Sequence, residues 1–473
     1  MSRLSKGVSP RATLDAPLLL CISESEDEGR LGMTVDSRNE WRVLSLREAQ
    51  VSLIDCDHRT PPSTDAGYPY VAIPQLRQGR IDLKDVRRIS PEHFTDWTKK
   101  AKPHTHDVVL SRRCNPGETA YVPPGLEFAV GQNLVLLRAD GTEVFPPFLR
   151  WLVRGPEWWE QIRHFLNVGA VFDSLKCADI PNFRLHIPLL SEQRAITHIL
   201  GTLDDKIELS HRQNETLEAM ARALFKSWFV DFDPVHARME GRQPKGIPAD
   251  VLSLFPSGFQ SSALGEIPDG WEVGPILAQA KLLSGGTPKT DRADYWNGEI
   301  PWASAKDVSQ CGKMFLMATE RTITEQGLAE SATQLIPALS TVVVARGATT
   351  GRMTMFGREM AMNQTCYALQ SKVDAPFALH CLLRQEMDTL VHSAHGSVFD
   401  TITTSTFSSS KVVLAPPPVL QSFNQISSSV FLRILANTEE SRALAALRDA
   451  LLPKLLSGEL QVKTAEKIIR GAK

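Results

Sequence analysis

The amino-acid sequence repeats itself once, and this repeat restricts the folds open to the chain more than any other feature. Trp41 opens one segment and Trp271 another. Thr60-Pro61 returns as Thr287-Pro288, 227 residues on. Pro69-Tyr70-Val71-Ala72 returns as Pro301-Trp302-Ala303-Ser304, 232 residues on, so the second copy gains five residues around 295–299. Ser111-Arg112 faces Ala345-Arg346 within two residues of that register, and the run 125–132 faces 357–364. The offset then falls back to 227. Val171-Phe172-Asp173 faces Val398-Phe399-Asp400 and Leu217 and Leu224 face Leu444 and Leu451 at 227, while Pro188 and Gln193 face Pro416 and Gln421 at 228. Each match is weak alone; their order and near-constant spacing carry the inference. A period this long excludes a solenoid of roughly 20–50-residue units and implies a duplicated domain pair.

Each copy combines two textures. Residues 41–190 and 266–414 are rich in Gly, Pro, Thr and short apolar runs such as Asp107-Val108-Val109-Leu110 and Thr341-Val342-Val343-Val344. That pattern predicts short strands, irregular loops and a few helices, an α+β globule. Residues 191–232 and 415–460 instead space their apolar side chains by threes and fours. The first seam is Ile196, Leu200, Leu203, Ile207, Leu217, Ala221, Leu224 and Trp228, the seven-residue beat of a coiled coil. Adding 227 carries it to Phe423, Val430, Ile434, Leu444, Leu451 and Leu455, with Ser427 and Arg448 as imperfections. The middle seam positions are polar in both copies, Ser210 and Asn214 in one, Asn437 and Ser441 in the other. Polar seam residues cost stability and fix register, as a spacer requires; ~35 helical residues would run ~50 Å. Two ordinary core helices are the competing reading, and the shared polar pair counts against it. Residues 233–265, with Pro234, Pro244, Pro248 and Pro256, are expected to be a linker, and 461–473 a tail.

Missing chemistry narrows the function. Lys and Arg number 52 against 54 Asp and Glu, a net charge of -2, so the chain is no bulk polycation, while a local basic face stays open. No apolar run approaches the ~18–20 residues of a membrane span. The seven Cys are scattered and form no CxxC pair, which points to reduced thiols in a cytosol rather than a disulfide frame or zinc ribbon. No GxxxxGK[ST] phosphate loop is present. Asp233-Pro234-Val235 lacks the second proline and the aromatic of an adenine-methyltransferase loop. Asp82-Leu83-Lys84 matches only the tail of a nuclease motif. His104-Thr105-His106 and the pair His392 and His395 lack further ligands at metal spacing. We expect no catalytic residues and no metal site.

The remaining chemistry is that of binding. Residues 41–115 hold 13 Lys+Arg against 9 Asp+Glu, with four His, and residues 280–360 hold 9 against 8. Loops that mix Arg, Lys, Thr, Gly and Pro recur at 59–61, 111–117, 284–290 and 346–352. Backbone N–H groups and Thr hydroxyls suit phosphates, Arg suits guanine, and Gln or Asn suits adenine. The candidate contacts are Arg112, Arg113 and Gln132 in the first copy, and Thr287, Lys289, Arg346, Arg352 and Gln364 in the second. Simple turns with solvated arginines are the competing reading.

The run Ile187-Pro188-Leu189-Leu190-Ser191-Glu192-Gln193-Arg194-Ala195-Ile196, with Leu203-Asp204-Asp205-Lys206-Ile207-Glu208-Leu209 and the stretch 214–235, resembles the central region of type I restriction–modification specificity subunits. Residues 447–460 resemble the second such region. Ser284-Gly285-Gly286-Thr287-Pro288, Ile300-Pro301-Trp302 and Ala361-Met362-Asn363-Gln364 are similar to the family's target-recognition pattern. The resemblance covers about residues 41–460. It implies two α/β target-recognition domains, each reading one half of a split site in double-stranded DNA, in an α+β chain with a pseudo-two-fold internal repeat. Two long antiparallel coiled-coil helices would set the gap between the halves. Leu203, Ile207, Asn214, Leu217 and Leu224 would form the spacer and partner helices with Asn437, Leu444 and Leu451.

The resemblance also implies partners: two methylation subunits that carry S-adenosylmethionine and methylate adenine N6, and restriction subunits that use ATP and Mg2+. This chain would bind no cofactor, catalyse nothing and work in the cytoplasm. An orphan DNA-binding module and a self-contained restriction–modification enzyme are the alternatives. Two features depart from the pattern. The first copy has Asp57-His58-Arg59-Thr60-Pro61 where the second has Ser-Gly-Gly-Thr-Pro. Residues 1–40 lie outside the repeat, with 5 Lys+Arg against 7 Asp+Glu, and Met33 is the expected start.

Overall fold

The computed structural model describes residues 41–169, 173–393 and 401–471. The start expected at Met33, the match of 171–172 with 398–399, and His395 lie outside the described residues.

Both copies build the same globular domain. In the first, strands Val51–Asp55, Leu134–Ala139, Val108–Ser111 and Thr119–Tyr121 lie side by side in that order. In the second, Ala280–Ser284, Cys366–Ser371, Thr341–Val344 and Met353–Phe356 repeat the order, and Phe315–Leu316 adds a fifth strand. Val108–Ser111 and Thr341–Val344 are buried along their whole length, which is why their sequences read as unbroken apolar runs. A smaller sheet centres on Tyr68–Val71 in the first domain and Trp296–Ala303 in the second. Each central strand has a parallel partner, with Val71 opposite Val130 and Ala303 opposite Met362. Both members of that pair are displaced by 232, the offset read in the sequence. Finally, Arg42–Ser45 pairs antiparallel with Arg184–Ile187, and Glu272–Gly274 with Val412–Leu414. That pairing brings the entry and exit of each domain together, next to the start of a long helix.

The long helices are Leu190–Phe229 and Pro417–Leu456, 40 residues each and so about 60 Å long. They run antiparallel, since Asp204 meets Arg448, Asn214 meets Asn437, and Phe225 meets Phe423. Asn437 donates to the Asn214 side-chain oxygen at 2.9 Å, and Asn214 donates to the Thr438 hydroxyl at 3.3 Å. These bonds are buried, so a one-turn slip of the pair would strand amide groups without partners. Among the seam residues, Ile196, Leu200, Leu203, Ile207, Ala221 and Trp228 are buried. Leu217, Leu224 and Leu444 are only half-buried, and Phe225 and Phe431 fill the interior beside them.

Arg448, an imperfection in the seam as read from sequence, is an ion-pair partner. It donates to Asp204 at 2.6 Å, with both side chains almost wholly inside. Arg150 and Arg80 of the first domain approach the same carboxylate at 3.6 and 3.8 Å, so one aspartate ties that domain to both helices. The 227-residue offset carries Asp204 onto Phe431 and Arg448 back onto Ala221. Phe431 stacks on Phe377 of the second domain at 4.3 Å. One joint is thus ionic and its counterpart aromatic.

The segments between and after the copies carry structure of their own. Residues 233–265, the linker, form helices Asp233–Met239 and Ala249–Leu252 and most of a hairpin of Phe259–Ser262 with Gly265–Pro268. Val235, Leu252 and Phe255 are buried there against Trp228 and Trp271 in one core. Pro234 and Pro248 sit at the N-terminal turn and cap of those helices, positions proline favours, so what read as interruptions are starts. In the tail, Val462–Gly471 is a helix whose Ala465 is buried in the first domain's core.

Candidate nucleic-acid interface

At one end of the central sheet in each domain, three loops meet, and the backbone brings them there in the same way twice. In the second domain the first loop leaves the strand Ala280–Ser284 through Gly285 and Gly286. A Cβ on Gly285 would lie 2.3 Å from the carbonyl oxygens of both Met362 and Asn363, and one on Gly286 2.5 Å from the backbone of Thr333. Only glycine allows this approach. Gly286 N–H donates to the Met362 carbonyl at 2.9 Å, and the Trp302 indole donates to the Gly286 carbonyl at 3.0 Å. Thr287 is thereby delivered to Gln364, and its hydroxyl donates to the Gln364 side-chain oxygen. That bond orients the amide while leaving its NH2 group to be offered outward.

The second loop, 362–365, follows the parallel strand pair. The third, 345–352, is a turn in which Gly351 N–H closes onto Val344 at 2.9 Å and Gly347 has φ +97°. Ala345 N–H donates to Thr365 at 2.8 Å and joins it to the second loop. Arg346, Arg352, Thr287, Lys289 and Gln364 are all exposed. Thr287 and Gln364 touch, and the Ala345–Thr365 bond ties the backbone beside Arg346 to the Gln364 loop; Lys289 and Arg352 lie on the first and third loops.

The first domain uses other side chains to hold the same three loops. His58 replaces the glycine contact: one ring nitrogen faces the Gln132 carbonyl at 3.1 Å and the other the Asp55 carboxylate at 2.9 Å. Gly131 N–H donates to Val71 at 2.8 Å, and a Cβ there would lie 2.6 Å from that oxygen. Arg112 N–H donates to Asn133 at 3.0 Å, as Ala345 does to Thr365. Leu175 N–H donates to the Arg112 carbonyl at 2.8 Å, as Ile402 does to that of Ala345 at 2.9 Å. Arg113 bridges to Ser174, as Arg346 bridges to Thr401.

These bonds correct the sequence alignment by one residue. Arg112 corresponds to buried Ala345, and Arg113 is the counterpart of Arg346. Arg112 is only 8% exposed, with a buried Nε that lacks a hydrogen-bond partner. It lies under the loop beside the Cys56 and Cys177 thiols and is not presented to a ligand. Arg113 and Gln132 are exposed.

Sequence reading missed the role of His58 and left Arg59, though in a loop it singled out, off the candidate contacts; the Arg59 guanidinium lies 4.7 Å over the Trp97 ring while its carbonyl accepts from the Trp97 indole at 3.0 Å. The missing Gly-Gly pair was the available signal, because some other group had to hold that loop. Asp57, hydrogen-bonded to Arg59, titrates below the usual carboxylate range. Asp55, Cys56 and His58 place donor atoms within 4.8 Å of one another. They suit a divalent metal poorly, because the Lys100 ammonium already lies 3.6 Å from Asp55 and burial pushes the Cys56 thiol up to about 11. A thiol so protonated is no nucleophile at neutral pH.

A family model for the type I restriction modification DNA specificity domain matches residues 59–219 and 268–429, one stretch in each copy. The chain is 26% identical over 399 residues to the HindI specificity subunit of a type I restriction enzyme from Haemophilus influenzae, covering 75% of this chain and 86% of that relative. It is 26% identical over 406 residues to the MjaIX specificity subunit from Methanocaldococcus jannaschii, covering 85% and 86%. In fold it is similar to the crystal structure of a type I restriction–modification S subunit from M. genitalium, with a TM-score of 0.52 at 14% identity over 88% of this chain and 96% of that one.

Proposed function

The chain belongs to the type I restriction–modification DNA specificity family, and on that premise we propose how its two halves divide the recognition of DNA. As a specificity subunit it supplies sequence-specific DNA binding, and its relatives are named specificity subunits of type I restriction enzymes. The first domain reads one half-site with Arg113 and Gln132, and the second reads the other with Thr287, Lys289, Arg346, Arg352 and Gln364. The helix pair holds the two readers at a fixed separation, so the recognised site is split, with base pairs between the halves that this chain does not read. Because the loops differ in side chains, the two halves of the site differ in sequence.

The observation that carries this reading is the recurrence of one three-loop arrangement, offering arginine and glutamine side chains, on both halves of a rigid spacer. Arginine pairs with guanine through two hydrogen bonds and glutamine with adenine, and both residue types are exposed in both domains. Chemistry on the DNA belongs to partners. Two methylation subunits carrying S-adenosylmethionine modify adenine N6 within the site, and restriction subunits using ATP and Mg2+ cut DNA that lacks the mark. The duplication supports that stoichiometry, since a pseudo-two-fold monomer presents two similar faces to two identical partners. Among the described residues no helix is long and apolar enough to cross a membrane, and a site on host DNA assigns the work to the cytoplasm.

Single-molecule sequencing of modified bases in host DNA, with and without this gene, tests the reading. We expect N6-methyladenine to vanish from one split, asymmetric motif when the gene is deleted. A methylome left unchanged while the methylation subunit is expressed refutes it.

A further inference from the structure

Two clefts of the same construction lie near opposite ends of the helix pair. The first has a volume of about 230 Å³ and is walled by Leu152, Leu185, His186, Leu456 and Ser457. The second, of about 210 Å³, is walled by Leu382, Val412, Val413, Phe229 and Val230. The 227-residue offset relates two walls of each: Leu185 and His186 fall on Val412 and Val413, and Leu456 and Ser457 fall back on Phe229 and Val230, whereas the glutamates are not related by it. Each cleft therefore forms where the returning strand of one domain meets the C-terminal end of the other half's long helix. The side chains differ between the copies, yet the hollow is kept.

The chemistry of the walls is kept as well. Both floors are apolar, neither cleft is lined by a Lys or Arg, and each carries two glutamates, Glu157 and Glu160 in the first, Glu266 and Glu386 in the second. Glu157 is engaged by His186 at 2.7 Å. Glu386 is half-buried, and burial raises its pKa. At the second rim, Val230 and Leu264 are 36% and 48% exposed. Half-burial of a carboxylate carries a desolvation cost that a cation arriving from outside would offset. Lysine and arginine fit such a hollow best, since their apolar stems cover the floor while the charged head reaches the rim.

We propose that the two clefts are one duplicated docking site, each receiving a Lys or Arg side chain with an adjacent apolar residue from one of two copies of the same partner protein. The proposal rests on the preceding reading, in which that partner is the methylation subunit, and assigns its contact to particular residues. Two copies bind because the chain carries the hollow twice, and each copy touches both halves of the duplication at once. Docking of the partner thereby clamps a domain against the end of the opposite helix.

Charge reversal tests this at positions outside the reading loops and outside the core. The variants are Glu160→Arg, Glu386→Arg and the double substitution, each mixed with the purified methylation subunit of the same system and weighed by native mass spectrometry and sedimentation. The wild-type chain should carry two copies. Each single variant should retain one copy and bind the second about tenfold more weakly or worse, and the double variant should lose both. Thermal melting and affinity for DNA should stay at wild-type values, which separates lost docking from lost folding. A wild-type 2:1 complex with all variants also at 2:1 overturns this proposal alone. A wild-type chain that binds no methylation subunit overturns both it and the reading it rests on. A wild-type chain that self-associates through the clefts, with the variants monomeric, overturns the assignment of the occupant.

Discussion

Replacing Asp204 by Asn should loosen the joint between the first domain and the helix pair. The Asp204 side chain is 6% exposed and that of Arg448 10%, with 2.6 Å between their closest atoms. Asparagine keeps the shape and one acceptor but removes the charge that Arg448, Arg150 and Arg80 share. Removing one partner of a buried pair costs about 3–5 kcal/mol, chiefly because the remaining charge stays buried without compensation. The expected loss falls toward the lower end, because all three arginines have other contacts: Arg448 also pairs with Asp449 at 2.8 Å. Arg80 also pairs with Glu208, and Arg150 lies over the Tyr121 and Trp151 rings at 4.6 and 4.3 Å.

The molecule supplies its own control. At the counterpart joint the same two positions are Phe431 and Ala221, both in the second core cluster. The double variant Asp204→Phe/Arg448→Ala copies that solution into the first joint and should lose no more than about 1.5 kcal/mol, as buried pairs replaced by apolar residues often do. Urea unfolding followed by tryptophan fluorescence reads this directly, because Trp151 and Trp158 are buried in the first cluster. A single variant within about 0.5 kcal/mol of wild type, or a double variant as unstable as the single, would refute the view that the ion pair holds the joint.

Three further outcomes follow from the interface and the second core. Arg346→Ala and Arg113→Ala should each weaken binding to their own half-site by about 1–3 kcal/mol and relax one base position, whereas Arg112→Met should leave sequence preference intact; fluorescence anisotropy against single-base variants of the site decides between them. Gly285→Ala forces a Cβ to within 2.3 Å of two carbonyl oxygens, so it should displace Thr287 from Gln364 and abolish reading of the second half-site while sparing the first. His380 is wholly buried, and that burial, with the nearby Arg384, lowers its pKa from 6.5 to about 3. The unfolded chain therefore takes up a proton below pH 6.5 that the folded chain refuses until about pH 3. The stability present above 6.5 should fall by up to about 1.4 kcal/mol per pH unit on acidification, and His380→Asn should flatten that slope in urea titrations between pH 7.5 and 4.5.

The duplication, the two long helices and the polar middle of their seam were all legible in the chain, because each leaves a period or an offset. Contacts that leave no period were not. Arg448 looked like a flaw because its partner, Asp204, lies 244 residues away on the other helix. The segment 233–265 looked like a connector because proline marks helix starts and loops alike. The candidate site shows the same limit on a finer scale. Gln364 was already aligned with Gln132 by the offset, but pairing Arg346 with Arg113 needed the hydrogen bonds of Ala345 and Arg112, since a one-residue slip in alignment turns an exposed arginine into a buried one. His58 was hidden because it performs with a side chain what Gly285 and Gly286 perform by having none.

What the two copies share and where they differ points to a division of labour within the fold. Backbone features recur: the parallel pair at Val130 and Met362, the loop junctions at Asn133 and Thr365, and the hollow at each helix end. Side chains diverge at the reading loops, where His58-Arg59 stands against Gly285-Gly286, and at the joints, where Asp204 and Arg448 stand against Phe431 and Ala221. A homodimer could not diverge in this way, because its two halves share one sequence and would read a palindrome. Fusing the halves into one chain frees each reader to change its bases independently while the antiparallel helices hold both in fixed register. Asp204, Arg448, Phe431 and Ala221 all lie on the two helices and not in the reading loops, so an ion cluster can serve one end of the spacer and stacked aromatics the other.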